Sequence, residues 1–229
     1  QKTQDAQIIF AGIQSIANAK IQHYEILIID ECHLVAPSES GQYFQLISNL
    51  KEVNPELKIL GLTATPYRLD SGYLTEWDKP LFERVAYKID VKLLIKRGFL
   101  CPVVSNGGGV KIDVSKVKHK GGEFLDSALE SLYMSKTVEI VADIVKQGAN
   151  RKAWLIFCVS IEHAEQVTSE LISHGIDAAC YHSQSDNDYI LDDFANGRLR
   201  CLVNVNILTT GSNFPIADMC VLIRATEST

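Results

Sequence analysis

The sequence predicts an α/β protein built as two parallel-sheet units in tandem, on three observations. Short unbroken apolar runs alternate with stretches of helical periodicity, the pattern of strands joined by crossover helices. Several of these runs end in acidic or hydroxyl-bearing segments, at the strand ends where open α/β sheets bind ligands. The series is interrupted by Asn106-Gly107-Gly108-Gly109, the strongest breaker in the chain, and then begins again.

Gln7 to Phe10 is a short apolar run. Ile13, Ile16 and Ala17 stand at i, i+3 and i+4 and predict a short helix over 11–19. Ile26 to Ile29 suits a strand buried on both faces, and it delivers Asp30, Glu31, Cys32 and His33 to its C-terminal end. Phe44, Leu46, Ile47 and Leu50 predict a helix over 41–53, ended by Pro55. Leu57 to Leu62 is the next strand and runs into Thr63-Ala64-Thr65-Pro66-Tyr67-Arg68. From Leu69 to Pro80, Ser71, Gly72, Asp78 and Pro80 mark a loop. Val85 to Ile89 is a candidate strand, Val91 to Arg97 a short helix stopped by Gly98, and Phe99 to Val104 an extended stretch.

In the second series Ser135 is expected to cap a helix running through Gln147, with Val138, Val141, Ala142 and Val145 on its inward face and Gly148 closing it. Strands are expected over 153–159, 177–181, 200–205 and 219–223, and helices over 161–174 and 186–196. The domain organisation follows: a first unit over 1–97, a connecting region over 98–134, and a second unit over 135–229.

Composition bounds the function. The 229 residues are 46% hydrophobic and 22% charged, ordinary for a globular protein. No apolar run reaches the roughly 20 residues that a membrane helix needs, and the polar start lacks an apolar signal segment, so no membrane partner is expected. A net charge of −6 argues against a wholesale electrostatic binder of nucleic acid and leaves room for a local basic groove. Lys111, Lys116, Lys118, His119 and Lys120 form the notable basic cluster, read first as a solvated loop. The six cysteines contain no Cys-x-x-Cys pair, which points to a reduced, cytoplasmic setting and away from zinc.

A hydrophobic strand that ends in an acidic pair is what a Walker-B segment needs: one carboxylate to hold Mg²⁺, the next to polarise the water that attacks a γ-phosphate. From residues 26–33 alone, a strand followed by an acidic turn is an equal alternative. Thr63 and Thr65, at the end of the neighbouring predicted strand, would share that rim, where hydroxyls can bond the carboxylates or His33. Thr209, Gly211 and Asn213 follow a predicted strand in the second unit, where small residues permit close approach to phosphate or ribose. An ordinary turn or loop is the alternative reading in both places.

In their order along the chain, Asp30-Glu31-Cys32-His33, Thr63-Ala64-Thr65, Ile156-Phe157-Cys158-Val159-Ser160 and Val203 through Pro215 resemble motifs II, III, IV and V of superfamily 2 helicases of the DEAD/DEAH type. The resemblance implies two RecA-like domains in tandem, both incomplete at their outer ends. It implies that Asp30 holds Mg²⁺ through water, that Glu31 is the catalytic base, and that His33, Thr63 and Thr65 couple hydrolysis to domain movement. Ser160 and Thr209 would contact the nucleic-acid backbone, and Gly211 and Asn213 would lie near the nucleotide. Gln14 and Ser15 match a further segment near nucleic acid, although Gly12 stands where the family has threonine. Asn213 stands where many relatives have aspartate, and Val205 where DEAD-box relatives have threonine. No Gly-x-x-x-x-Gly-Lys-Ser/Thr occurs, and the arginine-finger motif is absent. The expectation is therefore an internal fragment of an ATP-dependent helicase acting on DNA or RNA, inactive by itself and without bound ATP. A duplex DNA translocase of a restriction or repair system, and a non-catalytic nucleic-acid-binding module, are the alternatives. A phospho-acceptor domain using Asp30 is a remote third. Oligomeric state is not legible.

Overall fold

The computed structural model describes residues 6–16, 22–36, 41–68, 71–112, 119–120, 123–124, 126–185, 187, 189–209 and 211–223. The chain divides into two units, Gln1–Pro102 and Val103–Thr229.

In the first unit a single turn, α1 (Ile13–Ile16), precedes β1 (Ile26–Ile29), α2 (Gln42–Val53) and β2 (Lys58–Gly61). The expected helix extends past α1 into residues 17–21, which lie outside the described residues. β1 and β2 pair in parallel, Ile26 opposite Lys58 through Ile29 opposite Gly61, with α2 as the crossover. Leu46, Ile47 and Leu50 of α2 are buried, and Ile13 and Ile16 pack on the cluster they share with Leu57. Asn54 closes the α2–β2 turn. Its Nδ2 donates to the Tyr24 carbonyl at 2.8 Å and its Oδ1 accepts from the Glu56 amide at 3.0 Å. β1 is not buried on both faces as expected. Ile26 and Ile28 are 60% and 58% exposed while Ile29 is buried. Strand residues alternate between faces, and α2 covers one of them.

The stretch expected as a loop from Leu69 holds β4 (Gly72–Tyr73), which pairs antiparallel with β3 (Tyr67–Arg68) just before it, and the two tyrosine rings meet edge-on at 6.1 Å. After it Leu74 is buried with Ile29, Cys32, Val35 and Ile47, and Trp77, Leu81 and Phe82 pack around that cluster. Residues 85–89 form no strand; Val85 and Tyr87 are exposed and pair with nothing regular. α3 (Val91–Lys96) begins at Asp90, whose side chain accepts from the Lys92 amide at 2.7 Å, and ends before Gly98 at φ 78°.

The second unit runs β5 (His119–Lys120), β6 (Glu123–Phe124), α4 (Asp126–Met134), α5 (Thr137–Gln147), β7 (Trp154–Cys158), α6 (Ile161–Ser173), β8 (Ala178–Tyr181), α7 (Tyr189–Ala195), β9 (Cys201–Asn204) and β10 (Met219–Ile223). β5, β6 and α4 fall within the range read as connecting region, and Tyr133 of α4 is buried in the second unit's core. Lys116 and Lys118 of the basic cluster lie outside the described residues. The main sheet has the order β10-β7-β9-β8, all parallel. On one face α5 and α6 set Ile140, Val141, Ile144, Val167 and Leu171 against Trp154, Ile156, Cys201 and Val203. On the other, Phe194 of α7 packs with Phe157, Leu202 and Leu208.

Two details of α5 differ from expectation. Ser135 does not cap it: its hydroxyl donates to the Leu132 carbonyl at 2.8 Å, closing α4, and Lys136 precedes α5. The buried face carries Thr137, Ile140, Val141 and Ile144, while Val138 is exposed. The large Ile140 and Ile144, one turn apart, take the sheet-facing stripe.

The α5–β7 turn is built on Trp154, which is fully buried. Its Nε1 donates to the Arg151 carbonyl at 3.2 Å, and the Arg200 guanidinium lies 4.6 Å from the ring centroid. A Cβ on Gly148 would stand 2.4 Å from Trp154 Cζ2. The neighbouring Asp218 carboxylate accepts from the amides of Lys152 and Ala153 and so ties the start of β7 to that of β10. All six cysteines are free. Burial pushes the thiols of Cys180 and Cys201 up to about 11 and about 12, so they sit in the core as neutral small hydrophobes. Among the described residues no helix is long and apolar enough to cross a membrane.

Gly148→Ala is expected to lower stability by about 1–3 kcal/mol, because the rigid indole cannot yield to the added methyl; urea unfolding followed by Trp154 fluorescence measures it. Asp218 supplies a pH-dependent contribution. Burial pushes its carboxyl up, but the amides of Ala153 and Lys152 and the Arg151 guanidinium outweigh that and hold it below the ordinary carboxylate value. A depressed folded-state pKa stabilises above the unfolded value and is lost as pH falls through the folded one. Asp218→Asn is therefore expected to melt below the wild type at pH 7, by about 1 kcal/mol for so exposed a group. The gap should close below about pH 4.

Candidate functional site

The rim of the first sheet is held by a ladder that continues past its strands. The Leu62 amide donates to the Ile29 carbonyl at 2.9 Å, and the Cys32 amide to the Leu62 carbonyl at 3.0 Å. Asp30-Glu31 and Thr63 are therefore set side by side by backbone pairing. Packing behind them is tight at Gly61, where a Cβ would stand 2.6 Å from the Phe82 ring and 2.7 Å from Cys32 Sγ.

Glu31 adopts φ 48°, ψ 46°, a left-handed conformation that costs a residue with a Cβ about 1–2 kcal/mol. Its amide donates to Asp30 Oδ1 at 3.0 Å. The 3₁₀ turn that follows (Cys32–Leu34) places His33 Nδ1 3.3 Å from Glu31 Oε2 and 2.8 Å from Thr63 Oγ1. Thr63 Oγ1 also accepts from the Thr65 amide at 3.0 Å and donates to the Thr65 carbonyl at 3.1 Å. A carboxylate can only accept, so a hydrogen on His33 Nδ1 is the arrangement that suits both neighbours, with Thr63 accepting and its own hydrogen turned to the Thr65 carbonyl. Nδ1 bonds Thr63 with the Glu31 carboxylate beside it, so one ring touches both segments.

The structure thus brings Asp30, Glu31, His33, Thr63 and Thr65 together. It adds Arg68, whose Nη1 donates to the His33 carbonyl at 3.1 Å. Sequence reasoning placed Arg68 in the segment Thr63–Arg68 without a role of its own and gave Gly61 and Phe82 no part, because their contacts are non-local. Position immediately after Thr-Ala-Thr-Pro-Tyr was the signal available for Arg68. Asp30 is exposed at the rim. Among the described residues no three His, Cys, Asp or Glu side chains converge as a metal cage. A single exposed carboxylate suits a hard cation that keeps most of its water, as magnesium does. Gln14 and Ser15 lie on the exposed side of α1, whose Ile13 and Ile16 face the core.

In the second unit the predicted residues cluster at the C-terminal ends of the parallel strands. Ser160 follows β7 and caps α6, accepting from the His163 amide at 3.1 Å. Thr209 donates to the Asn206 carbonyl at 2.8 Å, in a loop turned by Asn206 at φ 56° and Gly211 at φ 72°. Asn213 is exposed in the same loop. A hollow of about 330 Å³ at this rim is lined by Ile161, His182, Ser183, Val205, Asn206 and Ile207. His182 Nδ1 accepts from the Gln184 amide at 3.3 Å, which leaves Nε2 as the protonated nitrogen, 4.0 Å from Glu165. The sequence analysis did not single out His182, Ser183 or Asn206, although they directly follow expected strands.

Comparison with known proteins gives the following likenesses. Residues 136–229 match the family described as "Helicase conserved C-terminal domain", and residues 1–68 match "Type III restriction enzyme, res subunit". The Saccharomyces cerevisiae protein named "Putative ATP-dependent helicase IRC3" is 26% identical over 98% of this chain and 34% of its own length. The Schizosaccharomyces pombe protein named "Putative mitochondrial ATP-dependent helicase irc3" is 27% identical over 93% of this chain and 36% of its own. The chain thus spans about a third of the length of these curated relatives. A solved fragment from Vibrio vulnificus, described as "a putative HsdR subunit of a type I restriction enzyme", shares the fold with TM-score 0.58 and 22% identity, over 90% of this chain and 38% of that one.

The hydrogen on His33 Nδ1 is open to test. Imidazole ¹H–¹⁵N spectra are expected to show His33 protonated at Nδ1. Thr63→Val should shift that resonance and cost about 1 kcal/mol of stability. Thr65→Val, which keeps the backbone contacts, should leave the resonance in place.

Proposed function

The chain is part of a superfamily 2 helicase core, and on that premise we propose that the whole protein couples ATP hydrolysis to unwinding of nucleic acid. The observation that carries the proposal is His33 Nδ1 lying 2.8 Å from Thr63 Oγ1 and 3.3 Å from Glu31 Oε2. Glu31 is the base that takes a proton from the attacking water. Its left-handed backbone and its contact to His33 hold the carboxylate in place before substrate arrives. Asp30 would hold a hydrated Mg²⁺, which when bound would supply charge neutralisation at the phosphate oxygens. A change at Glu31 reaches Thr63 through one ring, and reaches the 63–65 turn through the paired Thr63 and Thr65 contacts. On this reading His33, Thr63 and Thr65 transmit the state of the site, with Arg68 holding the His33 turn.

The second unit supplies the nucleic-acid contacts. On this reading Ser160, whose hydroxyl only accepts in its cap contact, donates to a backbone phosphate, Thr209 does so on releasing the Asn206 carbonyl, and His182, Ser183 and Asn206 extend that surface around the hollow. Gln14 and Ser15 add a contact from the first unit. Gly211 and Asn213 approach the nucleotide. The partner is DNA or RNA. The six free thiols suit a reducing compartment, the cytoplasm.

A second reading is favoured by the match of residues 1–68 to a restriction-enzyme subunit. In it the same chemistry drives translocation along duplex DNA without separating strands.

The test uses the full-length protein with single-stranded DNA, duplex DNA and RNA in turn. Glu31→Gln is expected to lower nucleic-acid-stimulated ATP hydrolysis by about 100-fold or more while nucleotide binding persists. Hydrolysis left within twofold of wild type would remove Glu31 from the chemistry. Displacement of a labelled strand separates unwinding from duplex translocation.

A further inference from the structure

The run Asn106-Gly107-Gly108-Gly109 reads in sequence as a flexible break, yet its glycines stand in different surroundings. The Gly109 amide donates to Asp143 Oδ2 on α5 at 2.8 Å, and the same oxygen accepts from Gln147 Nε2 at 2.7 Å. Val110 and Ile112, just beyond, pack against the second unit's core. A Cβ on Gly109 would stand 2.8 Å from Asp143 Oδ1 and 3.2 Å from its Cγ. At Gly107 nothing lies within 4 Å, and at Gly108 only Asp143 Oδ2 comes as near as 4.0 Å. Upstream, Val103 and Val104 are 86% and 77% exposed and in no regular element.

We propose that residues 108–112 are a strap fastened to α5 by Asp143, and that the part of the connection free to change its torsion angles lies upstream, over 103–107. Glycine at 109 then serves close approach. A side chain there would meet the Asp143 carboxylate and turn it away from the residue-109 amide, whereas a side chain at 107 meets open space. Two kinds of contact hold the strap: one amide bonded to a charged acceptor, and two apolar residues seated on the core. The first sets its register on α5 and the second resists its lifting. A domain motion of the whole protein would bend ahead of Gly108, and releasing the clasp would lengthen the free segment.

Hydrogen exchange and limited proteolysis on the 229-residue chain decide the matter. In the wild type the residue-109 amide, corrected for intrinsic rate, is expected to exchange at least about tenfold more slowly than the residue-107 amide. Asp143→Ala should bring the two rates together and speed cleavage within 103–112. Gly109→Ala should do the same by turning the Asp143 carboxylate aside while the residue itself stays on α5, so it decides the question if Asp143→Ala unfolds α5. Gly107→Ala should change neither readout. Equal exchange at 107 and 109 in the wild type would overturn the proposal. So would a Gly109→Ala chain with unchanged exchange and cleavage, or a Gly107→Ala chain loosened as much as Gly109→Ala.

Discussion

Parallel, in-register pairing of β1 with β2 is the constraint on which the candidate site rests. Once Ile29 lies opposite Gly61, the residues that follow each strand must emerge side by side. The ladder then carries two bonds further, Leu62 to Ile29 and Cys32 to Leu62. These fix the distance between an acidic segment and a hydroxyl segment that are far apart in sequence. Side-chain chemistry is added to a separation the backbone has already set. The second sheet repeats the logic with four strands, so Ser160, His182 and Asn206 gather at one rim although each follows a different strand.

The cost of this arrangement is local. Glu31 is held left-handed, and among the described residues only Asn206 shares that backbone region without being glycine. Each stands just past a strand, at the rim of its own unit. Strain of about 1–2 kcal/mol at such a position persists when its surroundings over-determine it. At Glu31 the determinants are visible: the Asp30 carboxylate on its amide, Cys32 pinned to Leu62, and His33 pinned to Thr63 and Arg68. The same contacts that offset the strain hold the Glu31 backbone in one conformation.

How much of this was legible depends on the range of the interaction that decides each feature. β1 and β10 fall at the residues expected, because a bounded apolar run declares itself locally. The co-location of Asp30-Glu31 with Thr63-Thr65 was also legible, since strand ends of a parallel sheet share a rim. The exposed face of β1 was not, because the run Ile26–Ile29 carries no mark of which alternate residues α2 will cover. Ser135 illustrates the same limit at one turn's range. The hydroxyl fits either the start of α5 or the end of α4, and only the reach of the Leu132 carbonyl decides. Arg68 to His33, and Asp218 to the start of β7, are contacts between segments far apart in the chain, invisible to periodicity.

Glycine shows most sharply why a residue type does not carry its own meaning. Gly148 is required by an indole 2.4 Å from where its Cβ would stand, and Gly61 by a phenyl ring and a thiol. Neither has a left-handed backbone, so neither serves conformational freedom. Gly211 serves only that freedom: its φ is 72° and nothing crowds it. The two roles fail differently. A side chain at a crowded glycine displaces a neighbour and is felt in packing, whereas one at Gly211 meets open space and is felt as backbone strain. The Thr209–Asn206 contact lies two residues before Gly211. Strain there would therefore act on the rim of the second unit while leaving its core intact.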